Sequence, residues 1–264
     1  MVFAMRAYAI FRDWAGMARL PNVPTVWSNV FTAWVLAMWF QMLESRWLGL
    51  AWVLLGATLI YAGGAIFCEV RDVEFDRKFR PERPLPAGRV SIRWAAIVSV
   101  VLCLTGAWLM QMDIGRSTRL TVSVVGLIGV VFSYAILHKY SPWLAVPLMA
   151  SCRPLMVLVV LFRIRLRLEE GGDYLPRIGT SGGVYMVALG LYVASISWMA
   201  LGEVKAWRRK AVGVMLAALP LLDAVILMWY YLVLVDSPVS LGMLWVPLGC
   251  MGLAIGLRKV AAAT

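Results

Sequence analysis

Charge is scarce in this sequence, and acidic charge scarcest of all: 15% of the 264 residues are Asp, Glu, Lys or Arg, and only 14 are acidic. A soluble domain carries about 25% charged residues and roughly 45–50% apolar ones. At 62% hydrophobic, this chain excludes a water-soluble fold. Cysteine is also sparse. Cys68, Cys103, Cys152 and Cys250 lie in or at the edges of apolar runs without paired spacing, which excludes a disulfide framework and a structural zinc site. Histidine occurs once, as His138, and a lone interfacial histidine is more often a simple hydrogen-bonded residue than a catalyst. No low-complexity segment or short repeat interrupts the chain.

Long apolar runs take up most of the length. They predict helices near 22–43, 48–68, 91–111, 118–138, 142–162, 182–201, 210–232 and 238–257, eight spans at about 20 residues each. The expected fold is therefore all-α, a polytopic transmembrane helical bundle of eight to nine spans forming one integral domain, 1–264, with short connections. Residues 1–20 mix Phe3, Met5, Tyr8, Ile10, Phe11 and Trp14 with Arg6, Arg12, Asp13 and Arg19. That pattern fits an amphipathic helix at the membrane interface better than a cleaved signal peptide. In a soluble protein the net charge of +11 would suggest nucleic acid, but in a membrane chain it belongs to inner loops and anionic headgroups. Membrane lipids are the expected partner, and nucleic acid is not.

The basic residues also predict orientation. With the amino terminus in the cytoplasm, 17 of the 25 Lys and Arg fall on the inner side and 7 in outer loops, with Arg153 inside a span. Both termini are expected inside. An outer loop, 163–181, is the exception, holding Arg163, Arg165, Arg167 and Arg177 beside Glu169, Glu170 and Asp173.

The acidic residues are not spread evenly. Glu69, Asp72, Glu74, Asp76 and Glu82 crowd into one inner segment, 69–93, and Glu69, Asp72 and Asp76 are spaced i, i+3, i+7. On a continuing helix those three carboxylates share a face and repel. A divalent cation is the usual compensation, and Mg²⁺ suits a few carboxylates together with phosphate oxygens. Immediately after come Arg77, Lys78, Arg80, Arg83 and Arg89, in a backbone stiffened by Pro81, Pro84 and Pro86 and turned at Gly88. Arg77 and Arg83 are candidates for pairing with a diphosphate. A plain solvated loop whose basic residues only set topology stands as the alternative. Arg153 and Asp223 lie inside apolar runs, where an ionisable group must face a cavity or a partner. Arg153 either binds diphosphate from within the bundle or pairs with Asp223.

The stretch "GGAIFCEVRDVEFDRKFRPERPLPAGRVS", residues 63–91, resembles the first signature of UbiA-type intramembrane prenyltransferases, roughly N-D-x-x-D-x-x-x-D followed by R-P-x-R-P-[LI]-P-x-G-x-[VI]-S. Asp72 and Asp76 fall on the second and third aspartates, Glu69 on the first, and Cys68 on the asparagine. The segment "RLPNVPTVWSNVFTAW", 19–34, resembles the family's first helix, with Asn22 and Asn29 as polar residues within a span. In "SYAILHKYSP" Tyr134 and Lys139 match a family Tyr and Lys that contact diphosphate, though one residue farther apart than Y-x-x-x-K, so that His138 holds the matching step. The family's second motif, D-x-x-x-D, falls on loop 202–210, where Glu203 is the one acid beside Lys205, Arg208, Arg209 and Lys210.

The resemblance implies transfer of an isoprenoid chain from a prenyl diphosphate to an aromatic or other lipophilic acceptor, with Mg²⁺ as cofactor. It implies Glu69, Asp72 and Asp76 as metal ligands, Lys139 beside the reacting diphosphate, and Asn22, Asn29, Tyr134 and Glu203 as substrate contacts, while Arg153 is a catalytic candidate from its place inside a span alone. Two rival expectations stand beside it: cyclisation of the chain by its own double bonds, and a noncatalytic binder or transporter of isoprenoid lipids.

Overall fold

The computed structural model describes residues 2–38, 47–112, 117–168, 175–201, 206–234 and 242–263. Its helices are α1 (Val2–Met17), α2 (Val23–Met38), α3 (Trp47–Phe79), α4 (Ile92–Leu109), α5 (Thr118–Leu137), α6 (Pro142–Leu168), α7 (Leu175–Ala200), α8 (Ala206–Leu234) and α9 (Trp245–Ala263), with a 3-10 turn at Leu20–Asn22. No strand occurs among the described residues. The helices α3 to α9 each hold a stretch long and apolar enough to cross a membrane.

Helix α2 runs through the middle of the bundle, packed by α3, α6, α7, α8 and α9. Val26, Val30, Ala33 and Leu36 are buried on it, and so are Thr25, Ser28, Asn29 and Thr32. Those four polar residues recur at i, i+3, i+4 and i+7, drawing a polar stripe down one face of a helix that is buried except around Trp27 and Phe31. The outer surface is apolar instead. Val101, Leu104 and Trp108 on α4, Val122 and Val125 on α5, Val187 and Leu191 on α7, and Leu232 and Val233 on α8 are exposed. A contiguous apolar belt of this kind is stable only against lipid, and the chain is an integral, multi-pass membrane protein.

Small residues allow the tightest contact. A Cβ on Gly56 would sit 2.7 Å from the Gly106 carbonyl oxygen, and one on Gly63 would sit 2.6 Å from that of Ser99. Helices α3 and α4 thus meet backbone to backbone, as small residues permit in membrane bundles.

Several helix boundaries differ from the expectation, among them that of α9, expected at 238–257 and found at Trp245–Ala263. Helix α3 does not stop near residue 68 but continues to Phe79, because its charged continuation favours helix and no proline intervenes before Pro81. Residues 69–79 of the expected motif loop are therefore helical, and the connection proper is 80–91. The expected outer loop 163–181 is largely helix as well, since α6 reaches Leu168 and α7 begins at Leu175. Arg163, read as an outer-loop charge, is 2% exposed. Its guanidinium donates to the carbonyls of Met110 and Met112, oxygens that the end of α4 leaves without helical partners.

Candidate active site

The connection after α3 is folded onto the bundle rather than left in solvent. Leu85 and Val90 are buried in a small core with Met17, Ala62, Ile66 and Val73. Gly88 takes φ 73°, a left-handed conformation that suits glycine. The Arg89 guanidinium grips Asp13 of α1 at 2.7 and 3.1 Å and also donates to the Glu82 carbonyl. These contacts fix where Arg83 stands.

Arg83 is the hub of the first carboxylate pair. Its Nη1 lies 2.9 Å from Glu69 Oε2 and 2.9 Å from Asp76 Oδ2. Glu69 and Asp76 are 8% and 2% exposed, so one guanidinium offsets two nearly buried charges. Arg19 approaches Glu69 from the other side at 3.7 Å. Asp72 turns instead to α5, where His138 Nε2 is 3.2 Å and Lys139 Nζ 2.9 Å from its Oδ1. Lys139 also donates to the Arg71 carbonyl at 2.7 Å. The hydrogen bond to Asp72 raises the His138 pKa above its ordinary value, since a nearby carboxylate favours the imidazolium. The shared helix face expected for Glu69, Asp72 and Asp76 is present, but their charges are balanced by Arg83, Arg19 and Lys139, with His138 hydrogen-bonded to Asp72. Among the described residues no group of three or more acids, thiols or imidazoles is gathered to hold a metal ion. The donor chemistry still fits Mg²⁺, because carboxylate oxygens are the hard ligands that ion takes.

The face of α3 that bears the carboxylates also lines a cavity of about 120 Å³ inside the bundle. Tyr61, Ala65 and Cys68 line it on α3, and Met149, Cys152, Arg153 and Met156 line it on α6 at the spacing of one helix face. Arg19, Asn22 and Tyr134 add polar groups, while Val26, Leu127, Val193, Ile196, Leu216 and Leu219 make an apolar wall. Tyr134 connects cavity and carboxylates: it lines the former and stacks on His138, with ring centroids 5.3 Å apart.

Arg153 does not pair directly with Asp223. Its Nη1 donates to Asn29 Oδ1 at 2.5 Å and its Nη2 to Thr25 Oγ1 at 2.9 Å, with the guanidinium 5.6 Å from the centroid of the Tyr61 ring. Asp223 accepts from Ser28, Asn29 and Tyr185. Asn29, expected as a substrate contact, is wholly buried with both ends of its amide engaged, so it touches Arg153 rather than the cavity. Asn22 does line the cavity, and its Oδ1 accepts from Arg258 at 2.5 Å. Arg77 is exposed on α3, one residue past Asp76 and turned off the carboxylate face. Glu203 lies outside the described residues.

Sequence reasoning gave no role to Arg19, Tyr61, Tyr185 or Arg258. Arg19 carried a signal: it opens the "RLPN" segment and, as a non-glycine residue, takes φ 51°, a conformation that turns the chain sharply into α2. Tyr61, Tyr185 and Arg258 sit in apolar or terminal helix sequence, where only the packing brings them inward.

A family model described as the UbiA prenyltransferase family matches residues 28–263. Among curated proteins, the digeranylgeranylglyceryl phosphate synthase of Sulfurisphaera tokodaii is 34% identical over 90 residues, 34% of this chain and 31% of that protein. That of Saccharolobus solfataricus is 35% identical over 105 residues, 38% of this chain and 37% of that protein. The chain thus matches about a third of the length of these relatives. A solved UbiA homologue from Archaeoglobus fulgidus, bound to DMAPP and Mg²⁺, superposes with a TM-score of 0.54 at 13% identity, over 94% of this chain and 86% of that one. The apo UbiA homologue from Aeropyrum pernix gives 0.57 at 14% identity, over 90% and 95%. At such identities the two structures establish a shared fold.

Proposed function

Because the chain belongs to the UbiA prenyltransferase family, we propose that it is an intramembrane prenyltransferase, moving an isoprenoid chain from a prenyl diphosphate to a lipophilic acceptor. The observation that carries this reading is the cavity, whose lining joins the guanidinium groups of Arg19 and Arg153 to an apolar wall. A prenyl diphosphate calls for both, cations for its head and apolar surface for its chain. The cavity is smaller than the roughly 300–1,000 Å³ of a drug-sized site, so it would seat the diphosphate and the reacting end of the chain while the tail runs on between helices.

Each residue then has a chemical task. The guanidinium groups of Arg19 and Arg153 supply fixed positive charge where negative charge grows as the allylic carbon–oxygen bond breaks. Lys139 and Tyr134, beside the carboxylate helix, reach the same diphosphate from α5. The carboxylates that would hold Mg²⁺ are Asp72 and Asp76 with Glu69, and the bound ion would neutralise the leaving group. Arg83 holds the Glu69 and Asp76 oxygens that such an ion would take, so with the ion bound its guanidinium would be free to pair with phosphate. Val26, Leu127, Leu216 and Leu219 keep water from the allylic cation, which would otherwise be hydrolysed. The acceptor reaches that cation from the bilayer. We assign the carboxylate end of the bundle and both termini to the cytoplasmic side, as the distribution of Lys and Arg expects.

The test is product analysis by mass spectrometry after purified protein in lipid nanodiscs meets a panel of prenyl diphosphates and Mg²⁺, with and without candidate lipophilic acceptors. Prenylated acceptor supports the proposal. A hydrocarbon or alcohol formed from the chain alone points to cyclisation. Magnesium-dependent binding with no organic product from any chain length overturns the enzymatic reading in favour of a lipid-diphosphate binder.

A further inference from the structure

Asp223 is wholly buried in the middle of α8, and the proposed reaction gives it no task. A buried carboxylate is costly unless its oxygens are filled with donors. Ser28 Oγ donates to Oδ2 at 2.5 Å, Tyr185 Oη donates to Oδ1 at 2.7 Å, and Asn29 Nδ2 stands 3.0 and 2.9 Å from the two oxygens. Three helices, α2, α7 and α8, therefore meet on this one group.

The Asn29 contact carries the consequence. A primary amide has a donor end and an acceptor end. With its nitrogen committed to a carboxylate, which only accepts, its oxygen must face the opposite way. That oxygen is where Arg153 Nη1 donates, at 2.5 Å. The second acceptor for Arg153 is prepared in the same manner: the Thr25 hydroxyl spends its proton on the Asn22 carbonyl at 2.7 Å and receives Arg153 Nη2 at 2.9 Å. Two of the five N–H donors of Arg153 are thus held by α2. Among the described residues no carboxylate lies within ion-pair distance of that guanidinium, which lines the cavity beside Tyr61.

We propose that Asp223 is a positioning residue, which orients the Asn29 amide so that the Arg153 guanidinium is held, uncapped by any direct carboxylate, toward the diphosphate end of the cavity. The inference rests on the reading of the cavity as a diphosphate site. The relay has a polarity that a plain packing role lacks. Asp223→Asn keeps the size of the side chain, but the new amide can offer either end to Asn29, so the Asn29 oxygen is no longer fixed on Arg153.

The experiment is a double-mutant cycle in nanodiscs, measuring the affinity for inorganic diphosphate, a probe independent of chain length, with thermal unfolding measured alongside. Wild type, Asp223→Asn, Arg153→Gln and the double variant are compared, with Asn29→Leu as a second break in the relay should Asp223→Asn not fold. The expected result is about a tenfold loss in Arg153→Gln, a severalfold loss in Asp223→Asn or Asn29→Leu, and no further loss when either is combined with Arg153→Gln. If wild type does not bind diphosphate, the functional reading falls and the relay with it. If Arg153→Gln binds as wild type does, the relay is overturned because its target has no role. If binding falls in Arg153→Gln but not in the relay variants, or falls additively in the double variant, the relay alone is overturned.

Discussion

Asp72 differs from its two neighbours in where it spends its charge. Glu69 and Asp76 share Arg83, whereas Asp72 faces His138 and Lys139 across the α3–α5 contact. Replacing it by asparagine removes the negative charge that faces His138 and Lys139 and, in the proposed mechanism, one Mg²⁺ ligand. Asp72→Asn is expected to lower magnesium-dependent turnover at least 100-fold, on the scale of losing one group that stabilises developing charge, while leaving membrane insertion unchanged by protease mapping. Arg83 gives the complementary prediction. Arg83→Gln leaves the carboxylates of Glu69 and Asp76 without their shared cation and should cost about 1–3 kcal/mol of stability. Added Mg²⁺ should raise the Tm of that variant more than it raises the wild type's, and an equal shift in both would contradict competition for the same oxygens. Much of this cluster was legible in the sequence, because i, i+3, i+7 spacing fixes a helix face whatever packs against it. The choice between His138 and Lys139 was not legible. His138 ends α5 and Lys139 follows in the turn, so both reach Asp72 where a continuous helix would present only one.

At the scale of elements, the structure depends on how closely helices can approach. Gly56 and Gly106 face each other across α3 and α4, with an added Cβ at either position 2.6 to 2.7 Å from the other's carbonyl oxygen. Gly56→Val is expected to lower stability by about 1–3 kcal/mol through overpacking, read as a lower Tm in detergent. Gly126 on α5 meets nothing within 4 Å, and Gly126→Ala should be neutral or stabilising by roughly 0.5–1 kcal/mol. Equal losses at the two sites would contradict the close α3–α4 contact. Helix positions could be read from hydropathy, but their ends could not. Hydropathy counts Glu, Arg and Lys as loop, yet those residues favour helix once the chain has left the apolar layer, and α3 keeps going until a proline follows it. Arg163 misleads in the opposite direction, since a charge inside a bundle is tolerated when carbonyls at a neighbouring helix end receive it. The polar stripe on α2 was present at helical spacing, but only its one asparagine, Asn29, stood out from the sequence. Thr25 and Ser28 gain their meaning from Arg153 and Asp223, residues more than a hundred positions away.

Across the whole molecule, an apolar belt surrounds a buried polar stripe on α2, while Arg19 and Tyr134 link the carboxylate face of α3 to the cavity. A soluble enzyme inverts neither surface nor core in this way, and family membership agrees with an architecture for which lipid is the solvent. The proposed sidedness is testable at this scale. Single cysteines placed in the 80–91 connection and near either terminus, in a background without native cysteines, should all react with a membrane-impermeant maleimide only from the cytoplasmic side. Labelling of the termini from opposite sides would contradict that arrangement.

In the proposed mechanism the carboxylates of α3 and the cavity beside them ionise a prenyl diphosphate. The most direct measurement is the rate of inorganic diphosphate release by wild type and Asp72→Asn in the same nanodiscs, with Mg²⁺ and then with EDTA. Release that depends on Mg²⁺ and falls at least 100-fold in Asp72→Asn is the predicted result. Release that survives EDTA, or that is unchanged in Asp72→Asn, would contradict it.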